Sequence, residues 1–161
     1  MFHRVKVSEF EKGLLLRDGR FVRVLDAGVH WVRGEVIAAD LRRRDTEVDA
    51  APVWTRDLVP VGVRIRISYQ VTDPAATILR SFEYRAHLAN DAAASVHRSV
   101  SRVAMGDLAE EHNRLEDEIR DRLSLETASY GVRVEDVAII QVRFPRAIRR
   151  KLKRMEATGL A

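Results

Sequence analysis

The stretch Val59-Pro60-Val61-Gly62-Val63-Arg64-Ile65-Arg66-Ile67-Ser68-Tyr69-Gln70-Val71 places an apolar or aromatic residue at every odd position. That period belongs to a strand with one face on a core and the other toward water. At about 3.3 Å per residue such a strand reaches roughly 40 Å, long for a small domain. Asp73-Pro74 stops it and starts a helix, with the carboxylate as N-cap and the proline as first helical residue. A half-buried strand feeding a helix is scaffold and carries no chemistry of its own.

On the N-terminal side, Gly13 to Arg17 predicts a short strand, Asp18-Gly19 a two-residue turn, and Arg20 to Leu25 the returning strand. Ala27-Gly28 is a second break before His30-Trp31-Val32. Val36-Ile37 and then Asp40 to Asp49 give one or two further strands ending at Ala51-Pro52. Arg42-Arg43-Arg44 falls inside one of them. Alternate arginines would then point to opposite sides, which favours a charged edge that blocks strand pairing over a phosphate cradle.

On the C-terminal side the period turns helical. Ala75 to Phe82 forms a short helix, and Leu88, Ala92, Val96, Val100 and Val103 recur at three- and four-residue steps as one apolar stripe. Asp107-x-x-Glu110 and Asn113-x-x-Glu116 have capping-box spacing. Leu115, Ile119 and Leu123 face inward, with Glu116–Arg120 and Glu118–Arg122 as i,i+4 pairs on the outside. Gly131 suits a left-handed position after the helix end. Val132 to Phe144 returns to strand with its phase slipping near Glu135-Asp136, the mark of a bulge. Pro145 opens a last helix, Arg146 to about Ala157, with Ile148, Leu152 and Met155 as a narrow apolar stripe.

Strands, then helices, then a strand and a helix make an α+β domain: a twisted, mostly antiparallel sheet with packed helices and a projecting C-terminal helix. The expected divisions are an N-terminal segment over residues 1–8, the domain over 9–145, and a basic amphipathic helix over 146–161 that starts a coiled coil.

Composition bounds the function. The chain has 161 residues, enough for one domain with a real core, and its 46% apolar and 32% charged residues exclude a disordered chain. It has no cysteine, which rules out disulfides and thiol chemistry. Apolar runs such as Val137 to Ile140 fall far short of the roughly 20 residues that span a bilayer, and Met1-Phe2-His3-Arg4 lacks the apolar stretch of a signal peptide. A cytoplasmic protein, peripheral at most to the inner face of the cell membrane, is the expectation. The net charge is +4 but unevenly spread: ten acids face four arginines between Met105 and Asp136, while Gln141 to Arg154 holds seven basic residues and no acid. One copy's acidic face and another's basic tail are therefore suited to head-to-tail association.

The tail holds the candidate contact residues for oligomerisation or lipid: Arg146, Ile148, Arg149, Arg150, Lys151, Leu152, Lys153, Arg154 and Met155. An assembly helix ranks first among its uses, with its stripe inward and its charges on a neighbour's acids. A solvated basic face comes second and anionic lipid third. Nucleic acid ranks last, since no aromatic residue interleaves the segment to stack on bases. His3, His30, His87, His97 and His112 lack metal-ligand spacing, and Ser95, Ser99 and Ser101 near His97 have no third catalytic member. Asp57 fits a turn cap. No catalytic motif and no cofactor or metal site is read from the sequence. Phe2 and Val5 with Phe10 fit either a shallow membrane-dipping N-terminus or one tucked under the hairpin.

Several segments, in order, resemble the SPFH or band 7 domain of the stomatin, prohibitin and flotillin family. These are Glu11 to Arg20, Gly28-Val29-His30-Trp31, Asp40-Leu41-Arg42, Thr55 through Pro74, and Tyr130-Gly131-Val132-Arg133-Val134-Glu135-Asp136-Val137 running on to Phe144-Pro145. They cover about residues 9 to 150, and the nearest likeness is to bacterial slipins. The resemblance implies a non-catalytic scaffold that self-assembles on membranes beside a membrane protease or other membrane-protein client. The family usually adds an N-terminal hydrophobic anchor and a long C-terminal coiled coil, whereas this sequence opens on Met1-Phe2-His3-Arg4 and ends at Ala161.

Overall fold

The computed structural model describes residues 1–80 and 83–159. In chain order the elements are β1 (His3–Val7), β2 (Glu11–Arg17), β3 (Arg20–Leu25), β4 (Gly28–Val32), β5 (Glu35–Asp40), β6 (Arg44–Trp54) and β7 (Pro60–Val71). After these come α1 (Pro74–Arg80), α2 (Tyr84–Val100), α3 (His112–Thr127), β8 (Val132–Arg143) and α4 (Arg146–Ala157). Every ladder is antiparallel, and the α+β class holds. The strands divide among three sheets: β1 with β4, β2 between β3 and β5, and β7 between β6 and β8. The connections cause the division. β1 pairs with β4 and not with its sequence neighbour β2, so the chain passes between the two small sheets before it enters the large one.

The alternating stretch is β7, the central strand of the large sheet. Val61, Val63, Ile65, Ile67, Tyr69 and Val71 are buried and join Leu88, Ala92, Val96 and Val100 of α2 and Leu115, Ile119 and Leu123 of α3 in one core. A second, much smaller core of Val7, Leu15, Leu25 and Val32 holds the two small sheets together. Asp18 and Gly19 adopt φ of +52° and +74° and close the β2–β3 hairpin. Asp73 caps α1 by accepting the Ala76 N–H at 3.1 Å on Oδ1. The helix expected over Ala75–Phe82 is α1 as far as Arg80; Phe82 lies outside the described residues.

Several local expectations are corrected. β6 does not end at Ala51-Pro52 but continues to Trp54, with a register shift between Ala50 and Val53. A bulge tolerates a proline because its extra residue needs no ladder N–H. Arg42 and Arg43 precede β6 and only Arg44 is in it, so the triplet is no strand edge. Asp40 Oδ1 accepts the Arg42 backbone N–H at 2.9 Å, a turn that takes the chain off the β5 ladder.

The two capping boxes do not form. Asp107 belongs to a 3-10 turn, and α3 starts at His112 without a side-chain cap bond. Glu116 instead accepts the Ile139 backbone N–H at 2.8 Å and lies 2.9 Å from His112 Nε2, pinning α3 to β8. Arg120 pairs with Asp117 and Asp121 in place of Glu116. Glu118–Arg122 does form, at 3.5 Å, but half-buried rather than on the outside. Gly131 sits at φ +73° after a 3-10 turn that follows α3. In β8 the expected bulge falls at Glu135, between the pairs Val134–Tyr69 and Asp136–Ser68.

Candidate self-association surface

β8 delivers the chain to α4 through a strap across the large sheet. Arg143 Nη2 donates to Asp49 Oδ1 of β6 at 2.6 Å, reaching over the intervening β7. Gly62 makes that crossing possible, since a Cβ there would lie 2.7 Å from Arg143 Nη2. Asp49 also lies 3.5 Å from Arg64. The hydrogen bond from Arg143 holds its carboxyl below the usual carboxylate range. Phe144 and Pro145 then line a shallow cavity of about 360 Å³ with Ala51, Pro52, Pro60 and Val61 at the foot of α4.

No residue of α4 is buried. At 100° per residue, Ile148, Leu152 and Met155 form one stripe flanked by Arg149 and Lys151. Arg146, Arg150, Lys153 and Arg154 lie on the opposite side. Ile148 is half-buried, while Leu152 and Met155 are 37% and 38% exposed. The tail residues singled out in the sequence are thus gathered on one helix, with the stripe and its cations on distinct faces. Among the described residues none of these cations makes an ion pair within the chain. No helix of the described residues is long and apolar enough to cross a membrane.

The acidic block is largely committed at home. Glu111 pairs with Arg114, Asp117 and Asp121 with Arg120, Glu118 with Arg122, and Glu126 with Arg98. The sequence offered the pair Glu118–Arg122 but not the local pairs of Arg114 and Arg120 with Glu111, Asp117 and Asp121, nor Glu126 with Arg98 of α2. The outer face of α3 still carries an exposed ridge. Asp117, Asp121 and Leu125 stand at successive i,i+4 positions, and Leu125 is 81% exposed. Together with Arg114, Glu118 and Arg122 they border a hollow of about 570 Å³.

A further exposed face was missed in the sequence. The register Arg4–Trp31 and Lys6–Val29 puts these four side chains on the outer face of the β1–β4 ladder, and Phe2 continues the alternation. All five are exposed, and Trp31 is 69% exposed. Val5, grouped with Phe2 from the sequence, points the other way and packs on the small core. The signal was present in Arg4, Lys6, Val29 and Trp31, but only the β1–β4 pairing brings them together.

The remaining candidates take structural roles. Asp57 accepts Thr55 Oγ1 at 2.6 Å and the Met105 N–H at 3.0 Å, holding the turn between β6 and β7. Ser99 donates to Glu118 at 3.1 Å, and His30 Nε2 lies 2.7 Å from the Asp26 carbonyl. Among the described residues no three His, Cys, Asp or Glu side chains converge as a metal site.

The model of the SPFH domain / Band 7 family matches residues 5–159. The chain is 27% identical over 147 residues to a protein of Archaeoglobus fulgidus, covering 89% of this chain and 59% of that one. It is 23% identical over 155 residues to a stomatin homolog of Pyrococcus abyssi, covering 94% and 58%. With Stomatin-3 of Caenorhabditis elegans it shares 26% identity over 113 residues, or 70% and 42% of the two chains. It therefore spans less than two thirds of the length of each of these relatives. They are archaeal and nematode proteins, whereas the sequence resemblance pointed to bacterial slipins.

Proposed function

Because the chain belongs to the SPFH domain / Band 7 family, we propose that it is a non-catalytic, stomatin-like scaffold that docks onto copies of itself and organises membrane proteins. The observation that carries this reading is α4: twelve helical residues, none of them buried, with six cations and an apolar stripe. A helix this short is marginal in water, and its stability comes from whatever covers the stripe. The Asp117–Asp121–Leu125 ridge of a neighbouring copy offers a matching surface, apolar at Leu125 and acidic beside it. The internal pairs of those acids are exposed ion pairs, worth about 0–1 kcal/mol each, so incoming guanidinium groups can share them at little cost.

Light scattering at low salt tests the proposal. The intact chain should run well above 18.3 kDa, and R149E/R150E/K151E should lower that mass. Adding D117K/D121K to the tail variant should bring association back. A wild-type monomer, or a tail variant of unchanged mass, would refute assembly through α4. Salt separates this contact from a parallel α4–α4 seam. Head-to-tail docking of opposite charge weakens as salt rises, whereas two copies of a cationic helix repel and pair better when screened.

A second reading, a monomeric peripheral adaptor on anionic lipid, is favoured by the outer β1–β4 face. There Phe2, Val29 and Trp31 are interspersed with Arg4 and Lys6 and no acid, a composition suited to a charged bilayer surface. Sedimentation with anionic vesicles distinguishes it, because the first reading needs no lipid.

A further inference from the structure

The arginine triplet, misplaced as strand edge by the sequence, lines a cavity that the scaffold reading does not use. It is an open cleft of about 500 Å³ where the β5–β6 connection, the start of β6, the end of β7 and the start of α2 meet. Arg42, Arg43 and Arg44 enter from one side and Arg85 from α2, with the buried Tyr69 beside them.

The polar contacts inside this cleft are lopsided. Asp40 alone anchors two arginines, its Oδ2 lying 2.7 Å from Arg42 Nη2 and 2.7 Å from Arg44 Nη2. Arg42 is also stacked on Phe10, 4.4 Å from the ring centroid, so its plane is fixed. Arg43 gives only Nε to Glu135, at 3.3 Å. Arg85 meets no carboxylate among the described residues; its Nε reaches the Tyr84 hydroxyl at 3.4 Å. The other lining carboxylate, Asp45, already accepts Ser68 Oγ at 2.6 Å. A guanidinium offers five N–H donors in a fixed fork; of the four guanidinium groups here, Arg42 and Arg44 share Asp40, Arg43 meets Glu135 at the rim, and Arg85 has no carboxylate among the described residues. Among the described residues most of those donors have no protein acceptor in reach.

We propose that this cleft is an anion site for a compact polyphosphate or phosphate-ester group, held by Arg43 and Arg85 against the Asp40-fixed pair Arg42 and Arg44. Phosphate oxygens supply the multiple acceptors that forked guanidinium groups lack here, and a dianion balances the surplus positive charge. The cleft is too polar for an apolar ligand. The inference stands apart from self-association through α4 and does not depend on it. The same phosphate chemistry is available from a soluble polyphosphate or from a lipid headgroup at a bilayer surface.

The test is calorimetric titration of the whole chain with pyrophosphate, against chloride at matched ionic strength. Saturable binding is expected, weakened at least about tenfold, ~1.4 kcal/mol, in R43Q/R85Q. Neither of those residues holds Asp40, so the cleft's anchor is retained. R149Q/R150Q on α4 should bind as the wild type does. On wild-type protein, pyrophosphate should slow amide exchange across residues 42–46 and at the start of α2, a readout that needs no variant. Absence of saturable binding, equal binding by R43Q/R85Q, or loss confined to the α4 variant overturns the proposal. Phosphatidate vesicles identify the source. Vesicle binding that falls in R43Q/R85Q and is competed by pyrophosphate assigns a headgroup; pyrophosphate binding with vesicle binding indifferent to these residues assigns a soluble ligand.

Discussion

β7 and α4 are both amphipathic, and the fold treats them in opposite ways. Along β7, Val61, Val63, Ile65, Ile67, Tyr69 and Val71 are closed over by α2, α3 and the flanking strands. Along α4, Ile148 is only half-buried, Leu152 and Met155 are exposed, and none of the three is buried. A regular apolar pattern fixes which face seeks cover; it does not say whether the cover lies within the same chain. In β7 the pattern is a statement about folding. In α4 it marks a face that the described residues leave unburied, which is the face the proposed association would cover. The largest expected effect breaks the two apart: Ile65→Ala should destabilise the chain by about 2–5 kcal/mol, as for a fully buried aliphatic side chain. Leu152→Ala should shift unfolding by no more than about 0.5 kcal/mol in dilute solution. Urea denaturation measures both, and comparable losses would mean that α4 is part of the cooperative core.

The same contrast explains what the sequence made legible. The alternation from Val59 to Val71, the Asp73-Pro74 junction, the stripe from Leu88 to Val103 and the Glu135 bulge are local or periodic signals, and each has its counterpart in the fold. The errors fall where a polar side chain served a tertiary contact or a turn in place of the local pattern. Glu116 fitted a capping box until the Ile139 N–H on β8 claimed it. Arg42 and Arg43 fitted a strand until the Asp40 carboxylate turned the chain. For the candidate surface, the sequence supplied the tail residues, the acids of α3 and the pair Glu118–Arg122, but not the pairing of Glu111, Asp117, Asp121 and Glu126. The outer face of β1 and β4 required a register that no spacing rule gives.

Helix starts sharpen the comparison at a smaller scale. α1 begins with a side-chain cap, Asp73 to the Ala76 N–H, whereas α4 begins after Pro145 with none. Replacing Asp73 by alanine should cost about 1 kcal/mol of global stability, because α1 is locked to the 3-10 turn after α3 by Thr77 Oγ1, which donates to the Tyr130 carbonyl at 2.8 Å. A capping residue substituted at Pro145 should instead raise far-ultraviolet helicity and leave the unfolding midpoint in place. If the midpoint moved by as much as in the Asp73 variant, α4 would be coupled to the core in a way its exposure denies.

The two regions meet at the strap of Arg143 over Gly62 to Asp49, and the smallest effects are expected there. The Asp49 carboxyl is held below its ordinary value of 3.8, first by the hydrogen bond from Arg143. A depressed folded-state value means that this contribution to stability is fully present above about pH 4 and is lost as pH falls through the lowered value. Asp49→Asn should therefore flatten the acid limb of the stability profile below about pH 4 and leave the shape of the profile above it unchanged. Gly62→Ala puts a methyl against the Arg143 guanidinium, the mobile end of a long side chain, so the strap can yield at a cost of no more than about 1 kcal/mol. Both substitutions act on one contact, and a double-mutant cycle should give less than their sum. Strict additivity would mean that Arg143 crosses β7 without holding it. The departure of α4 from the sheet would then be set by Pro145 alone.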